Sequence, residues 1–197
     1  MHAEVVIAGS GGQGVLLIGR LLAEAGVLEE HEVVWLPSYG AEKRGGTVSC
    51  SVIVSDENAG AMFITRPTAA IAMNLASMEK FEMNLQSRGL LVVNQSLVSS
   101  RARRDDIRLA AVPANEMAAE LGDASAGNMV LLGALLAAEP IVSRESILAA
   151  MYTAFARNPK HLEMNRAALL KGYAFDSAAS ASHVPYGDHQ SIPAPGV

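Results

Sequence analysis

Near the amino end, Gly9-Ser10-Gly11-Gly12-Gln13-Gly14 has the spacing G-x-G-x-x-G. Glycines so placed let the backbone approach a phosphate, and a helix that follows aims its unpaired N–H groups and positive dipole end at the same anion. The extra Gly12 and the Gln13 carboxamide go beyond what a tight turn alone requires. A second polar cluster, Ser38 to Gly46, sets Tyr39, Glu42, Lys43 and Arg44 among glycines. That mixture suits a segment reaching over an anion or a neighbouring subunit. A dinucleotide site also uses an acid at the end of the second strand, where it holds the ribose hydroxyls. The corresponding run here, Leu36-Pro37-Ser38-Tyr39, has none. The residues leave three uses open: a nucleotide-binding module, a pair of loops facing a partner's site, and glycines that merely permit a tight strand-to-helix turn.

Other chemistry is excluded more firmly. The single cysteine, Cys50, allows no internal disulfide, no cysteine-based zinc site and no iron–sulfur cluster held by this chain alone, since such clusters take about four thiolates. It sits mid-strand among small residues with no histidine nearby, which predicts a packed thiol and not a nucleophile. His2, His31, His161, His183 and His189 show no metal-ligand spacing, so no metal site is expected. Met73, Met78, Met83, Met117 and Met129 read as core or interface filler. Asn128, ahead of an apolar helix, reads equally as an N-cap or a binding residue.

Of the 197 residues, half are apolar and 18% charged, against about 25% charged in a typical soluble domain. The surplus predicts apolar surface covered by another chain, along the helical C-terminal third and the tail. With 15 basic and 20 acidic side chains, a net charge of −5, nucleic acid is not an expected partner, because phosphate binding needs clustered, unneutralised Lys and Arg. The one basic run, Arg101, Arg103 and Arg104, is followed by Asp105 and Asp106 and reads as a solvated loop. The longest apolar run, Met129 to Ala138, falls short of the roughly 18 residues that a membrane helix needs. Met1-His2-Ala3-Glu4 lacks the basic start of a signal peptide, so a cytoplasmic protein is expected.

The elements that must position these residues follow from hydrophobic period. Val5 to Ala8 is a short continuous apolar run, as in a strand buried on both faces, and from Val15 to Leu28 apolar residues fall at helical spacing. Strand, glycine turn and helix open a Rossmann-type unit. Val33 to Leu36, Thr47 to Val54, Ala69 to Met73, Leu90 to Asn94 and Ile107 to Val112 are further strands. A helix capped by Ser77 and closed by Gly89 separates two of them, and Pro113 opens a short helix closed by Gly122. Three helices then follow: Met129 to Glu139, Ser143 to Phe155 and Asn158 to Gly172. The fold class is α/β: a Rossmann-like sheet with flanking helices, a helical C-terminal third and an extended tail. One domain spans 1–175, and the Ser/Ala/Pro-rich segment 176–197 cannot bury enough surface to fold alone and is expected to lie against a partner chain. In a parallel sheet the 38–46 loop leaves the carboxyl end of its strand beside the glycine turn, where α/β ligands bind.

Gly9 to Gly14, the run Pro37 to Gly46 with the Thr47–Cys50 strand behind it, Asn128 to Gly133, Asn165 and Gly172-Tyr173 together resemble the gamma subunit of 2-oxoacid:ferredoxin (acceptor) oxidoreductases. The resemblance covers about residues 3 to 175. It implies a part in coenzyme A-dependent oxidative decarboxylation of a 2-oxoacid to an acyl-CoA. Thiamine diphosphate with Mg would lie on alpha and beta subunits, [4Fe–4S] clusters on a ferredoxin-like subunit and, where NAD is the acceptor, a flavin subunit would be added. This chain would hold no cofactor and no catalytic residue by itself. In agreement, it has one cysteine and no Gly-Asp-Gly followed some 25 to 30 residues on by an asparagine pair of the thiamine-diphosphate type.

By the same resemblance, Gly9, Gly11, Gly12, Gln13 and Gly14 would form a turn facing the active site, and Tyr39, Glu42, Arg44, Gly45 and Gly46 the loop alongside it, forming a wall of the site or the coenzyme A approach. Ala41, Lys43 and the tail beyond Asp176 depart from the family pattern. Pyruvate, 2-oxoglutarate, branched-chain and aromatic 2-oxoacids such as phenylglyoxylate or indolepyruvate remain open as substrates, with the short free-standing form favouring 2-oxoglutarate or an aromatic acid. A free-standing nucleotide-binding Rossmann module and a purely structural assembly subunit are the other readings.

Overall fold

The computed structural model describes residues 1–40, 46–57, 63–100 and 102–175. The expectations for Glu42, Arg44 and Gly45 and for the tail 176–197 lie outside the described residues. Six strands form one sheet: β1 (His2–Ser10), β2 (Glu32–Tyr39), β3 (Thr47–Ser55), β4 (Ala69–Ala72), β5 (Leu90–Asn94) and β6 (Arg108–Val112), in the order β2-β3-β1-β4-β5-β6. The continuous apolar runs are the central strands. Every residue of β4 and β5 is buried, and so are Val5 to Ala8 of β1, because helices cover both faces. Residues of alternate parity face opposite ways. Ile7, Ile71 and Val92 lie in the larger core, whereas Ala70, Leu91 and Val93 pack with Met78 and Leu85 on the other side.

The sheet is not uniformly parallel. β1, β4, β5 and β6 run parallel, but β3 is inserted antiparallel between β1 and β2. Two successive reversals leave β2 pointing the same way as β1, so the carboxyl ends of both lie at one edge of the sheet. β2 and β3 are therefore antiparallel neighbours, and Gly46, just ahead of β3, still lies beside the glycine turn.

Helix α1 (Val15–Leu28) crosses from β1 over β3 to β2. It packs closely enough that a Cβ on Gly19 would collide with the Cys50 sulfur. Cys50 is buried, its thiol 3.7 Å from the Val15 carbonyl oxygen, and burial pushes its pKa up to about 12. Helix α2 (Leu75–Glu82) is capped by Asn74, whose Oδ1 accepts from the Ser77 amide at 2.9 Å. The expected cap at Ser77 is thus three residues late. Gly89 does not close this helix. It is fixed by crowding instead, since a Cβ there would lie 2.9 Å from the Gln86 carbonyl oxygen and 3.0 Å from that of Thr68.

The C-terminal third comprises α3 (Ala114–Ala119), a 3-10 turn at Ala124–Ala126, α4 (Gly127–Ala138), α5 (Arg144–Ala154) and α6 (Pro159–Tyr173). Ser143 and Asn158 cap α5 and α6 as their positions predict. Helix α4 is buried on all sides, with Met129, Val130, Leu131, Leu132, Leu135 and Leu136 in the core. Each such side chain contributes roughly 1.5–3 kcal/mol. Much of the apolar surplus of this third is therefore used inside the chain, between the sheet and α6, and not at its surface. A Cβ on Gly133 would fall on the Leu169 carbonyl oxygen, and one on Gly172 on that of Val130, so α4 and α6 cross with backbones in contact.

Arg103, Asp105 and Asp106 are exposed as a solvated loop predicts, Arg101 lies outside the described residues, and Arg104 alone is half-buried. Arg104 donates to the backbone oxygens of Glu82 and Leu85 and forms a two-pronged pair with Asp106, holding that carboxyl below its ordinary range. Arg103 pairs with Glu79. No helix among the described residues is long and apolar enough to cross a membrane.

Gly172→Ala should lower the unfolding free energy by about 1–3 kcal/mol in urea melts, because overpacking against backbone outweighs the helix-propensity gain of about 1 kcal/mol; a more stable variant would refute the close crossing. Cys50 should resist alkylation in the native protein at pH 8 and react fully once unfolded. Because the folded thiol keeps its proton to about 12 against an ordinary 9.0, its contribution to stability is complete below pH 9 and lost as pH rises toward 12, which Cys50→Ala should abolish in a pH series of melts.

Candidate functional site

The strand order changes direction between β1 and β4, and in open α/β sheets the crevice at the carboxyl ends beside such a switch is where ligands bind. The glycine turn lies there. Gly12 has φ +93° and Gly14 φ +75°, left-handed conformations that favour residues without a Cβ. Gly14 is the N-cap of α1, with no side chain satisfying the helix terminus and no acid in the first turn. The Gln13 amide donates to Ser10 O at 3.2 Å, closing the turn. No described residue accepts from the amides of Gly12, Gly14, Val15 or Leu16, which leaves four donors at the positive end of a helix dipole. This arrangement suits a phosphate.

The Gln13 side chain, which the sequence offered as a ligand group, is engaged internally. Its Oε1 accepts from the Ser10 amide at 2.7 Å and its Nε2 donates to Met73 O at 3.4 Å. Asn74 adds a second tie, donating from Nδ2 to Ser10 Oγ at 2.9 Å. The ends of β1 and β4 are therefore held together by two carboxamides. Gly9 is required by the same closeness, since a Cβ there would stand 2.5 Å from Gln13 Oε1 and 3.0 Å from Met73 Cβ.

The loop joins from the opposite side. The Gly11 amide donates to Gly46 O at 3.2 Å, and the Gly40 amide to Thr47 O at 2.7 Å. Val48 stands between Gly9 on one neighbouring strand and Tyr39 on the other. Of the loop residues singled out in the sequence, Tyr39 and Gly46 are thus brought to the turn. Tyr39 is 68% exposed at the sheet edge, with Leu75 and Leu97 also exposed after β4 and β5.

Several residues of the site carry no glycine signature and are not singled out by sequence reasoning. A crevice of about 150 Å³ runs from Gly12 and Gln13 to Asn128, and its floor includes Asn94, Asn115 and Ser125. Asn94 ends β5 and is buried, its Nδ2 donating to Asn115 Oδ1 at 3.0 Å. Asn128 is not the N-cap, because α4 already starts at Gly127. Its Oδ1 lies 2.9 Å from the Met129 amide, and its side chain fills the space that a Cβ on Gly14 would need. A sequence signal for part of this set does exist: Asn74 and Asn94 each follow directly on a buried apolar run. Among the described residues no charged side chain lines the crevice. Among the described residues no group of three or more His, Cys, Asp or Glu is placed to hold a metal ion. Replacing Gln13 with Ala should leave the chain folded but raise hydrogen exchange at the Ser10 amide about fivefold, as expected for losing one hydrogen bond of roughly 1 kcal/mol; unchanged Ser10 protection would show that the clamp does not hold the turn.

The family model described as pyruvate ferredoxin/flavodoxin oxidoreductase matches residues 4–175. Ketoisovalerate oxidoreductase subunit VorA of Methanothermobacter thermautotrophicus is 36% identical over 165 residues, covering 83% of this chain and 34% of VorA. This chain thus spans about a third of that relative's length. The 2-oxoglutarate synthase subunit KorC of Methanocaldococcus jannaschii is 31% identical over 176 residues, 88% of this chain and 93% of KorC. Among solved structures, the gamma subunit of keto/oxoacid ferredoxin oxidoreductase from Geobacter sulfurreducens superposes with a TM-score of 0.74 at 29% identity, over 90% of this chain and 99% of that one. The 2-oxoglutarate:ferredoxin oxidoreductase from Magnetococcus marinus, with 2-oxoglutarate, coenzyme A and succinyl-CoA bound, shares the fold at a TM-score of 0.80 and 21% identity, over 98% of this chain and 33% of that one. With the mixed sheet, the glycine turn and the joined loop all in place, the chain belongs to the pyruvate ferredoxin/flavodoxin oxidoreductase family.

Proposed function

We propose that this chain is the gamma-type subunit of a multi-subunit 2-oxoacid:acceptor oxidoreductase that converts a 2-oxoacid to its acyl-CoA. Thiamine diphosphate with Mg belongs to alpha and beta partners and [4Fe–4S] clusters to a ferredoxin-like partner, since one cysteine cannot ligate a cluster. The role of this chain is to line the approach of coenzyme A. The observation that carries this reading is the hydrogen bond from the Gly11 amide to Gly46 O, which ties the residue ahead of β3 to a helix terminus with free amides. Anion-seeking amides and a guanidinium reaching the same phosphates would hold the nucleotide end of coenzyme A. The missing acid after Tyr39 argues against a dinucleotide.

The substrate we favour is 2-oxoglutarate, supported by the length match to a subunit named for that acid, with an aromatic 2-oxoacid as the alternative. Ferredoxin is the favoured acceptor, and NAD would require a flavin partner. The tail 176–197 is proposed to lie against a partner chain.

Copurification with the chains encoded beside it, followed by a 2-oxoacid panel with ferredoxin and with NAD, tests the assignment. Expected are coenzyme A-dependent reduction of ferredoxin and greatest activity on 2-oxoglutarate. In the assembled complex, Arg44→Ala should raise KM for coenzyme A about tenfold or more, the loss of one charge-assisted hydrogen bond worth roughly 1.5–3 kcal/mol, and leave KM for the 2-oxoacid unchanged. Unaltered coenzyme A kinetics would favour a purely structural subunit.

A further inference from the structure

The crevice beside the glycine turn is lined by four carboxamides, and their hydrogen bonds are not equally complete. Both ends of Gln13 are used, by the Ser10 amide and by Met73 O. Asn128 Oδ1 faces the Met129 amide, and Asn115 Oδ1 accepts from Asn94 Nδ2. Asn94 Oδ1 accepts from nothing, although the residue is only 3% exposed. Among the crevice-lining residues described, it is the one buried side-chain oxygen left bare. A purely structural role explains the nitrogen of Asn94, which ties the end of β5 to α3, but not its oxygen. Buried carbonyl oxygens without a donor are rare because their desolvation is uncompensated.

We infer that this crevice takes an uncharged, N–H-bearing group of the same ligand whose phosphates the glycine turn holds, with Asn94 Oδ1 as its acceptor. The inference rests on the coenzyme A reading above. A phosphate or carboxylate is disfavoured beside Asn94, because the wall there offers a bare carbonyl oxygen and, among the described residues, no cation. Met73, Leu97 and Leu131 supply apolar contact, and about 150 Å³ accommodates one such group and not the whole ligand. Coenzyme A carries this chemistry twice, in the exocyclic amine of its purine and in the secondary amides of its pantetheine arm. In either case the Asn94 contact would set which end of the ligand enters and so orient the phosphates on the turn.

The test is isothermal titration of the full-length chain, and of the assembled complex, with coenzyme A, adenosine 3′,5′-bisphosphate and pantetheine, using wild type and Asn94→Leu. The expected result is a tenfold or greater rise in Kd for coenzyme A in the variant. The bisphosphate or pantetheine, whichever carries the donor, should weaken in parallel and so identify the source. A folded Asn94→Leu protein that binds coenzyme A as wild type does would overturn the inference while leaving the coenzyme A reading intact. Absence of coenzyme A binding in both chain and complex would overturn that reading itself. Should the variant not fold, the wild-type Asn94 side-chain amide resonance decides: a shift on adding either fragment supports the inference, and none with either rejects it.

Discussion

Two helices can touch backbone to backbone only where neither presents a Cβ, and the crossing of α4 with α6 at Gly133 and Gly172 is the contact on which the rest of this molecule depends. It allows an apolar helix with no solvated face to be enclosed between the sheet and α6. Enclosure fixes the depth of α4, and depth fixes where its first turn stands. That turn brings Asn128 against Gly14 and Gly127 against Asn115, so one wall of the crevice is set by packing at the far side of the helix. The density of such a core leaves little room for adjustment, because added methyl groups are felt as strain.

The opposite wall is built by hydrogen bonds. At the switch between β1 and β4 the chain has to turn sharply into a helix, and the backbone groups freed by that turn need partners or a ligand. Some are satisfied internally: Ser10 and Met73 by the Gln13 carboxamide, Gly11 by Gly46. The amides of Gly12, Gly14, Val15 and Leu16 are not. The site thus combines a rigid frame with unspent donors, which is the condition for binding an anion without rearrangement. Apolar groups stand around it at the sheet edge, with Tyr39, Leu75 and Leu97 exposed.

The division of chemistry follows from the same inventory. The chain has one thiol, buried against Gly19 and Val15 and protonated to about 12, so that thiol is not a nucleophile at this edge. What the described residues of the turn and crevice present is backbone amides and neutral carboxamides, groups suited to binding and orienting. That inventory accords with a family whose relatives include both a free-standing subunit of nearly this length and a longer chain of which this one matches a third.

Much of this was legible in the residues alone. The apolar runs from Val5, Ala69 and Leu90 predicted strands buried on both faces, the glycine turn predicted a helix terminus, and Ser143 and Asn158 predicted their helices, because hydrophobic period and capping are local. Element order and the two site segments could be read in the same way. Strand pairing could not. That β3 lies antiparallel between β1 and β2 depends on contacts distant in sequence, and local pattern is silent about them. The same limit hid the joining of Gly11 to Gly46, the internal use of Gln13, the shift of a cap from Ser77 to Asn74, and the gathering of Asn94, Asn115 and Asn128 from three separate elements. Composition and spacing determined what kinds of groups this protein can offer; only the tertiary structure decided which remain free, because a hydrogen bond already made within the fold is no longer available to a ligand.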